Sequence, residues 1–329
     1  MRKFFNSLCV LKTAGRMSMA MSRVRRMALK ALSFPINLKN NYKLHRKIIS
    51  AAHPYIKPLF KPLDRKIAFQ GREIPVKIFR PNVSSGFKIL LFFHGGGWVT
   101  GNTGSYSYIC ANMANETGYM VVSVDYSLAP EFPYPAGVED CYYVTRDIFT
   151  DHSLFQAKPE EIVLIGDSAG GNLAAAVSLM ARDRGEFLPD KQILIYPITY
   201  HDHSENSPYP SVRVNGSGYL MTSKRISEYM DLYLSREEDR LSPYVAPLLA
   251  EDLSNQPKTL IITAEYDPLR DEGEAYGMCL RKYGNTVRIE RMKDALHGFL
   301  SLPKHSVYVS NCYAIINRFL QEEITNETS

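Results

Sequence analysis

The chain has 329 residues, 45% hydrophobic and 22% charged, which excludes a disordered, collagen-like or disulfide-stapled protein and leaves room for a large core. Its formal net charge is +5, yet no Asp or Glu precedes Asp64, and residues 1–63 hold 14 of the 39 Lys and Arg. The remainder carries 25 basic against 34 acidic side chains, so a basic arm joins a mildly acidic body.

Five cysteines, at 9, 110, 141, 279 and 312, form no C-x-x-C pair. An odd, scattered set suits neither a disulfide framework nor a zinc site and points to a reducing, cytoplasmic compartment. The apolar start, from Phe4 to Leu11, is broken by Asn6 and Ser7 and closed by Lys12 without a small-residue cleavage site. No run approaches the ~18 apolar residues that span a bilayer.

The first expected element is an amphipathic helix over 17–32. Met17, Met21, Val24, Met27, Ala28 and Leu32 share one stripe, with Arg16, Arg23, Arg25, Arg26 and Lys30 on the other faces. A second helix is expected over 38–50, and Pro54, Pro58 and Pro62 read as a linker. From residue 66 short apolar runs alternate with helical stretches. Residues 74–79 alternate like a half-buried edge strand. The runs at 89–93, 120–124, 162–165, 193–196 and 260–263 are nearly continuously apolar, as strands buried on both faces are. Between 200 and 219 the pattern lapses into His, Asp, Ser, Asn, Pro and Gly, an insertion followed by a helix near 222–235. A last strand at 287–292 and a closing helix over 307–322 complete an α/β fold, a mostly parallel central sheet flanked by helices.

Chemistry concentrates at strand ends. The run at 162–165 feeds directly into Gly166-Asp167-Ser168-Ala169-Gly170-Gly171 and then an Ala-rich helix over 172–182. This is G-x-S-x-G in the strand–turn–helix setting that lifts a serine hydroxyl above a sheet. Alone the motif is weak, since a glycine-rich loop can hold an inert serine. A second motif strengthens it: His94-Gly95-Gly96-Gly97-Trp98 follows the strand at 89–93, where glycines let backbone N–H groups approach a substrate oxygen. A phosphate-cradling loop would need a Lys and a Ser or Thr in P-loop spacing, and these are missing.

A serine nucleophile needs a base, and the base an orienting acid. Among eight histidines, His297 stands just past the last expected strand, with His305 as the fallback. His45, His53 and His152 precede the serine in linker or helix contexts, and His94 belongs to the glycine loop. His201 and His203 form an H-x-H pair that reads as a solvated loop rather than a metal site. Asp267, just past the strand at 260–263, is the preferred acid over Glu265 and Asp271, and Asp271 is expected to cap or salt-bridge the next helix. The order Ser168, Asp267, His297 is that of α/β-hydrolases.

These motifs together resemble the hormone-sensitive-lipase-like branch of the α/β-hydrolases. HGGGW at 94–98, DYSLAPE at 125–131, GDSAGG at 166–171, YDPLRDEG at 266–273 and HGF at 297–299 carry the likeness over roughly 75–320. The resemblance implies an α/β-hydrolase fold with a helical cap and serine carboxylesterase activity. It maps the nucleophile, acid and base onto Ser168, Asp267 and His297, and the oxyanion donors onto Gly96, Gly97 and Ala169. The family's usual Arg is Ser127 here, which removes one cation from local ion pairing. The implied organisation is a basic arm with cap helices over 1–63, core over 64–199, cap insertion over 200–240 and core over 241–329.

A small-molecule ester is the expected partner, with short to medium acyl groups and Trp98 in the apolar substrate pocket. No cofactor, metal or nucleic acid is expected. The basic helix over 17–32 reads as a cap in preference to a weak membrane-surface contact, and a homodimer stays open beside a monomer. Two rival functions remain: a deacetylase or amidase using the same three residues, and a non-catalytic small-molecule receptor. The receptor reading sits badly with a chain that keeps both Ser168 and His297.

Overall fold

The structure, a computed structural model, describes residues 38–52, 62–69, 71–82, 88–151 and 155–322. The helix expected over 17–32, most of the expected linker, His53 and His152 lie outside them. The first described element is helix α1, Leu38–Ala52. Eight strands follow: β1 Leu63–Phe69, β2 Arg72–Phe79, β3 Ile89–Phe93, β4 Met120–Val124, β5 Ile162–Asp167, β6 Lys191–Ile195, β7 Lys258–Tyr266 and β8 Val287–Leu296. They form one sheet in the order β1-β2-β4-β3-β5-β6-β7-β8. β2 runs antiparallel to β1 and β4, and the pairs from β4 through β8 are parallel.

Every residue of β3 and β5 is buried, which is why these segments read as unbroken apolar runs. Helices α2 (Ser107–Thr117), α3 (Ala136–Thr150), α4 (Ala169–Arg184), α7 (Arg270–Lys282) and α8 (Val307–Gln321) flank the sheet. α4 is buried from Ala169 to Ala181, and its small residues allow close packing on the sheet. Between β6 and β7 the chain leaves the sheet and forms α5 (Pro210–Val214) and α6 (Ser223–Tyr233). α1 packs on α6. Among the described residues no helix is long and apolar enough to cross a membrane.

One expectation is corrected here. The segment at 74–79 is not the sheet edge, because β1 pairs outside it in full register, Leu63 opposite Ile78 and Phe69 opposite Arg72. β1 escaped notice because Asp64, Arg65 and Lys66 are exposed and Ile67 is its buried apolar side chain. A charged edge strand of this kind discourages pairing with another chain, at the expense of a legible pattern.

The chain direction of the connections reverses at β3, which has β4 on one side and β5 on the other. In open α/β sheets the crevice beyond the carboxyl ends at such a switch point is where ligands bind. Phe93 lies opposite Gly166, so the loops leaving β3 and β5 start side by side.

Candidate active site

Ser168 sits between the end of β5 and the start of α4 with φ 55° and ψ −119°, a left-handed conformation that costs a non-glycine residue of order 1–3 kcal/mol. Its N–H donates to the Ile195 carbonyl (2.8 Å), which pins the turn to the end of β6. The turn closes only with small neighbours: a Cβ on Gly166 would collide with the Gly170 carbonyl, and one on Gly170 with the Phe93 carbonyl.

The imidazole of His297 bridges the serine to a carboxylate. Its Nδ1 is 2.7 Å from Asp267 Oδ2 and its Nε2 is 2.9 Å from Ser168 Oγ. With the Asp267 carboxylate holding a proton on Nδ1, Nε2 is left to accept the serine hydroxyl. Asp267 is fully buried, and its other oxygen accepts the Leu269 N–H (2.9 Å) across Pro268. Asn215, just after α5, donates Nδ2 to the Asp267 and Glu265 carbonyls (3.2 Å each), so the insertion braces the acid loop.

The competitors are otherwise engaged. Glu265 Oε2 accepts the Asp294 N–H (2.7 Å). Asp271 pairs with Arg270 and accepts the Ser211 N–H (2.7 Å) in the first turn of α5, so the helix it caps belongs to the insertion. His305 is exposed. His45 is buried beside Arg225, and burial together with that guanidinium lowers its imidazole to about 4. His203 is a correction: it is no solvated loop residue, because its side chain is fully buried against the equally buried Glu272, Nε2 to Oε2 2.8 Å. Glu272 Oε1 also accepts the N–H groups of Thr199 and Tyr200, which explains why a carboxylate is buried there. Among the described residues no cluster of His, Cys, Asp and Glu could hold a metal ion.

The glycine loop is shaped from within. The Gly96 carbonyl accepts the N–H groups of Val99 (3.2 Å) and Thr100 (2.9 Å) and the Thr100 hydroxyl (2.9 Å). A trans peptide points its N–H opposite its carbonyl, so the Gly97 N–H faces away from that internal turn. Gly97, at φ 61°, lies so close to Tyr229 of α6 that a Cβ would strike the ring. Among the described residues no hydrogen bond occupies the N–H of Gly96, Gly97 or Ala169. Ala169 opens α4, whose partial positive end faces the same space. His94 belongs to the loop's scaffold: its ring stacks on Tyr126 at 4.3 Å, and its Nδ1 lies 2.8 Å from the Gly95 carbonyl.

Trp98, expected to contact substrate, is 1% exposed and stacks parallel on Tyr233 of α6 at 4.4 Å. Its indole joins the glycine loop to that helix. Around Ser127 the local cations come from distant segments of the chain. Arg72 of β2 reaches the buried Asp140 (2.9 Å), which also accepts the Ser127 N–H, and Arg46 of α1 pairs with Glu131 (2.7 Å).

Sequence reasoning passed over three supporting residues. Asp167 is the wildcard of G-x-S-x-G, and a lone acid closing a fully apolar strand was the available signal. Asn215 and Arg46 act over separations of 50 or more and 53 or more residues, and no local pattern marks them.

A family model described as alpha/beta hydrolase fold matches residues 90–301. The chain belongs to this family, in the hormone-sensitive-lipase-like branch marked by its HGGG and GDSAG motifs. It is 36% identical over 268 residues to the carboxylic ester hydrolase LipN of Mycobacterium tuberculosis, covering 79% of this chain and 70% of that protein. It is 35% identical to an arylesterase of Saccharolobus solfataricus, covering 77% and 81%. Among solved structures, a hyperthermophilic esterase from the archaeon Pyrobaculum calidifontis superimposes with a TM-score of 0.79 at 34% identity, covering 92% of this chain and 98% of that one.

Proposed function

We propose that the protein is a serine carboxylesterase acting on short- to medium-chain acyl esters through an acyl-enzyme intermediate. The observation that carries this reading is the unbroken contact from Asp267 through His297 to Ser168, beside three backbone N–H groups that have no partner among the described residues. Ser168 Oγ attacks the ester carbonyl while His297 Nε2 takes its proton, and the Asp267 carboxylate stabilises the imidazolium that forms. The N–H groups of Gly96, Gly97 and Ala169 hold the developing oxyanion. His297 then returns the proton to the leaving alcohol, and water enters by the same base to release the acid.

α1 and the 200–240 insertion form the cap over this centre. Their contacts with the glycine loop and the acid loop, through Arg46, Tyr229 and Asn215, favour that role. Trp98 serves the pocket by holding α6 on the loop. The free thiols of Cys110, Cys141, Cys279 and Cys312 agree with a cytoplasmic site of action.

Labelling with a fluorophosphonate followed by a p-nitrophenyl ester chain-length series tests the reading. Labelling at Ser168 with turnover highest on short to medium chains is expected. A preference for acetylated sugars or amides over aryl esters would favour a deacetylase or amidase, and an unlabelled protein would favour a receptor.

A further inference from the structure

Among the described residues, Asp167 is a buried acid without a countercharge. It closes β5, is 3% exposed, and among the described residues has no ion-pair partner. Its Oδ1 accepts the Gly95 N–H (2.8 Å), and its Oδ2 accepts the hydroxyls of Tyr106 (3.2 Å) and Tyr196 (3.3 Å). The Gly95 backbone approaches so closely that a Cβ there would lie 2.7 Å from Oδ2. Tyr196 in turn places its ring 4.7 Å from the ring of His297. One carboxylate therefore touches the residue ahead of the oxyanion glycines, adjoins the nucleophile in sequence, and reaches the base through a single phenol.

The titratable groups facing it are the phenols of Tyr106, Tyr126 and Tyr196, the thiols of Cys110 and Cys312, and the imidazole of His297. None is a permanent cation. Burying an unpaired carboxylate is unfavourable, and an isosteric asparagine would fill the same space without that penalty. Burial pushes the Asp167 carboxyl up to about 6, while the Gly95 and phenol hydrogen bonds and His297 pull the other way, so the charged form predominates at pH 8. A purely structural role gives no reason to keep the charge.

We propose that ionised Asp167 is a positioning residue: it clasps the glycine loop to the nucleophile turn and favours the imidazolium that forms on His297, while lowering the stability of the fold. The proposal rests on the serine-esterase reading. It makes stability and turnover move in opposite directions when the charge is removed, which loss of a structural residue does not do.

The test compares the full-length wild type with Asp167→Asn at pH 8, by thermal unfolding and by steady-state ester hydrolysis. Asparagine keeps an acceptor for Gly95 and removes the charge. Expected are a Tm higher by about 2 °C or more and a kcat lower by about tenfold, less than the ~10²–10³ of a lost oxyanion donor, with KM within about twofold. Tm and kcat falling together would make Asp167 structural and overturn the proposal, as would an unchanged kcat. Tyr106→Phe and Tyr196→Phe each remove one donor to the carboxylate and give a second reading should Asp167→Asn not fold. Each is expected to lower kcat with KM kept, and full kcat in both overturns the proposal. An inactive wild type that no fluorophosphonate labels sinks the esterase reading and this proposal with it. An active wild type beside an equally active Asp167→Asn sinks the proposal alone.

Discussion

Arg46, in α1, donates Nε to the carbonyl of Val99, 2.5 Å away and two residues past Gly97. The same guanidinium donates to the Ala129 carbonyl (2.6 Å) and grips Glu131 with both terminal nitrogens. A helix from the basic arm thus holds the outgoing end of the glycine loop. Arg46→Ala is expected to lower kcat about tenfold, a fraction of the loss for a deleted oxyanion donor. Arg46→Lys should recover little, because an ammonium cannot reproduce the fork. Glu131→Ala should be milder than either, since that pair is 25% and 38% exposed and such pairs are worth ~0–1 kcal/mol. Steady-state kinetics of the three variants checks the ranking; Glu131→Ala equalling Arg46→Ala would mean the ion pair, and not the carbonyl contacts, does the holding.

Gly97→Ala meets two obstacles at once, the positive φ of 61° and the Tyr229 ring where its Cβ would lie. The loop must move, and the Gly97 N–H leaves its place. The expected loss in kcat is ~10²–10³, the range for one oxyanion donor. Adding Tyr229→Ala relieves the collision but not the backbone strain, so recovery in the double variant should be partial. Complete recovery would show that strain at Gly97 is unimportant.

The buried His203–Glu272 contact ties the insertion to α7. Removing His203 leaves a cavity and one Glu272 oxygen without a neighbour, while the Thr199 and Tyr200 N–H groups still hold the other, a loss of about 2–4 kcal/mol. His203→Ala should therefore lower stability by several kcal/mol in urea unfolding while leaving KM within about twofold at low temperature. A stability change below about 1 kcal/mol would show that the pair contributes little.

Stability should depend on pH through Asp167. Its folded carboxyl is raised from 3.8 to about 6, so between those values the native state binds more protons than the unfolded chain. Stability from this group is therefore greatest below pH 3.8 and falls as pH rises to about 6, by ~3 kcal/mol for some two units. Asp167→Asn lacks this slope, so the stability of wild type minus variant should decline across that window and stay flat above pH 7. A difference that rises with pH would contradict the direction of the shift.

The parallel core was legible because strands buried on both faces leave unbroken apolar runs: the runs at 89–93 and 120–124 are β3 and β4 to the residue. β1 was not, since a solvated edge selects for charges such as Asp64, Arg65 and Lys66. Ser168, Asp267 and His297 stand at strand ends with glycine or proline within two residues, where local grammar is strong. Arg46, Asn215 and the burial of His203 depend on segments that meet only after the chain has folded. Asp167 lay in plain view inside a motif whose notation treats it as any residue; its meaning comes from Gly95 and two tyrosines supplied by other strands and loops.

The most direct test of the account is the turnover of Ser168→Ala on a p-nitrophenyl ester that the wild type hydrolyses. The account predicts a fall in kcat of ~10⁶ with the fold intact, the scale for deleting a serine nucleophile. A variant keeping even about a tenth of wild-type turnover would contradict nucleophilic catalysis at Ser168.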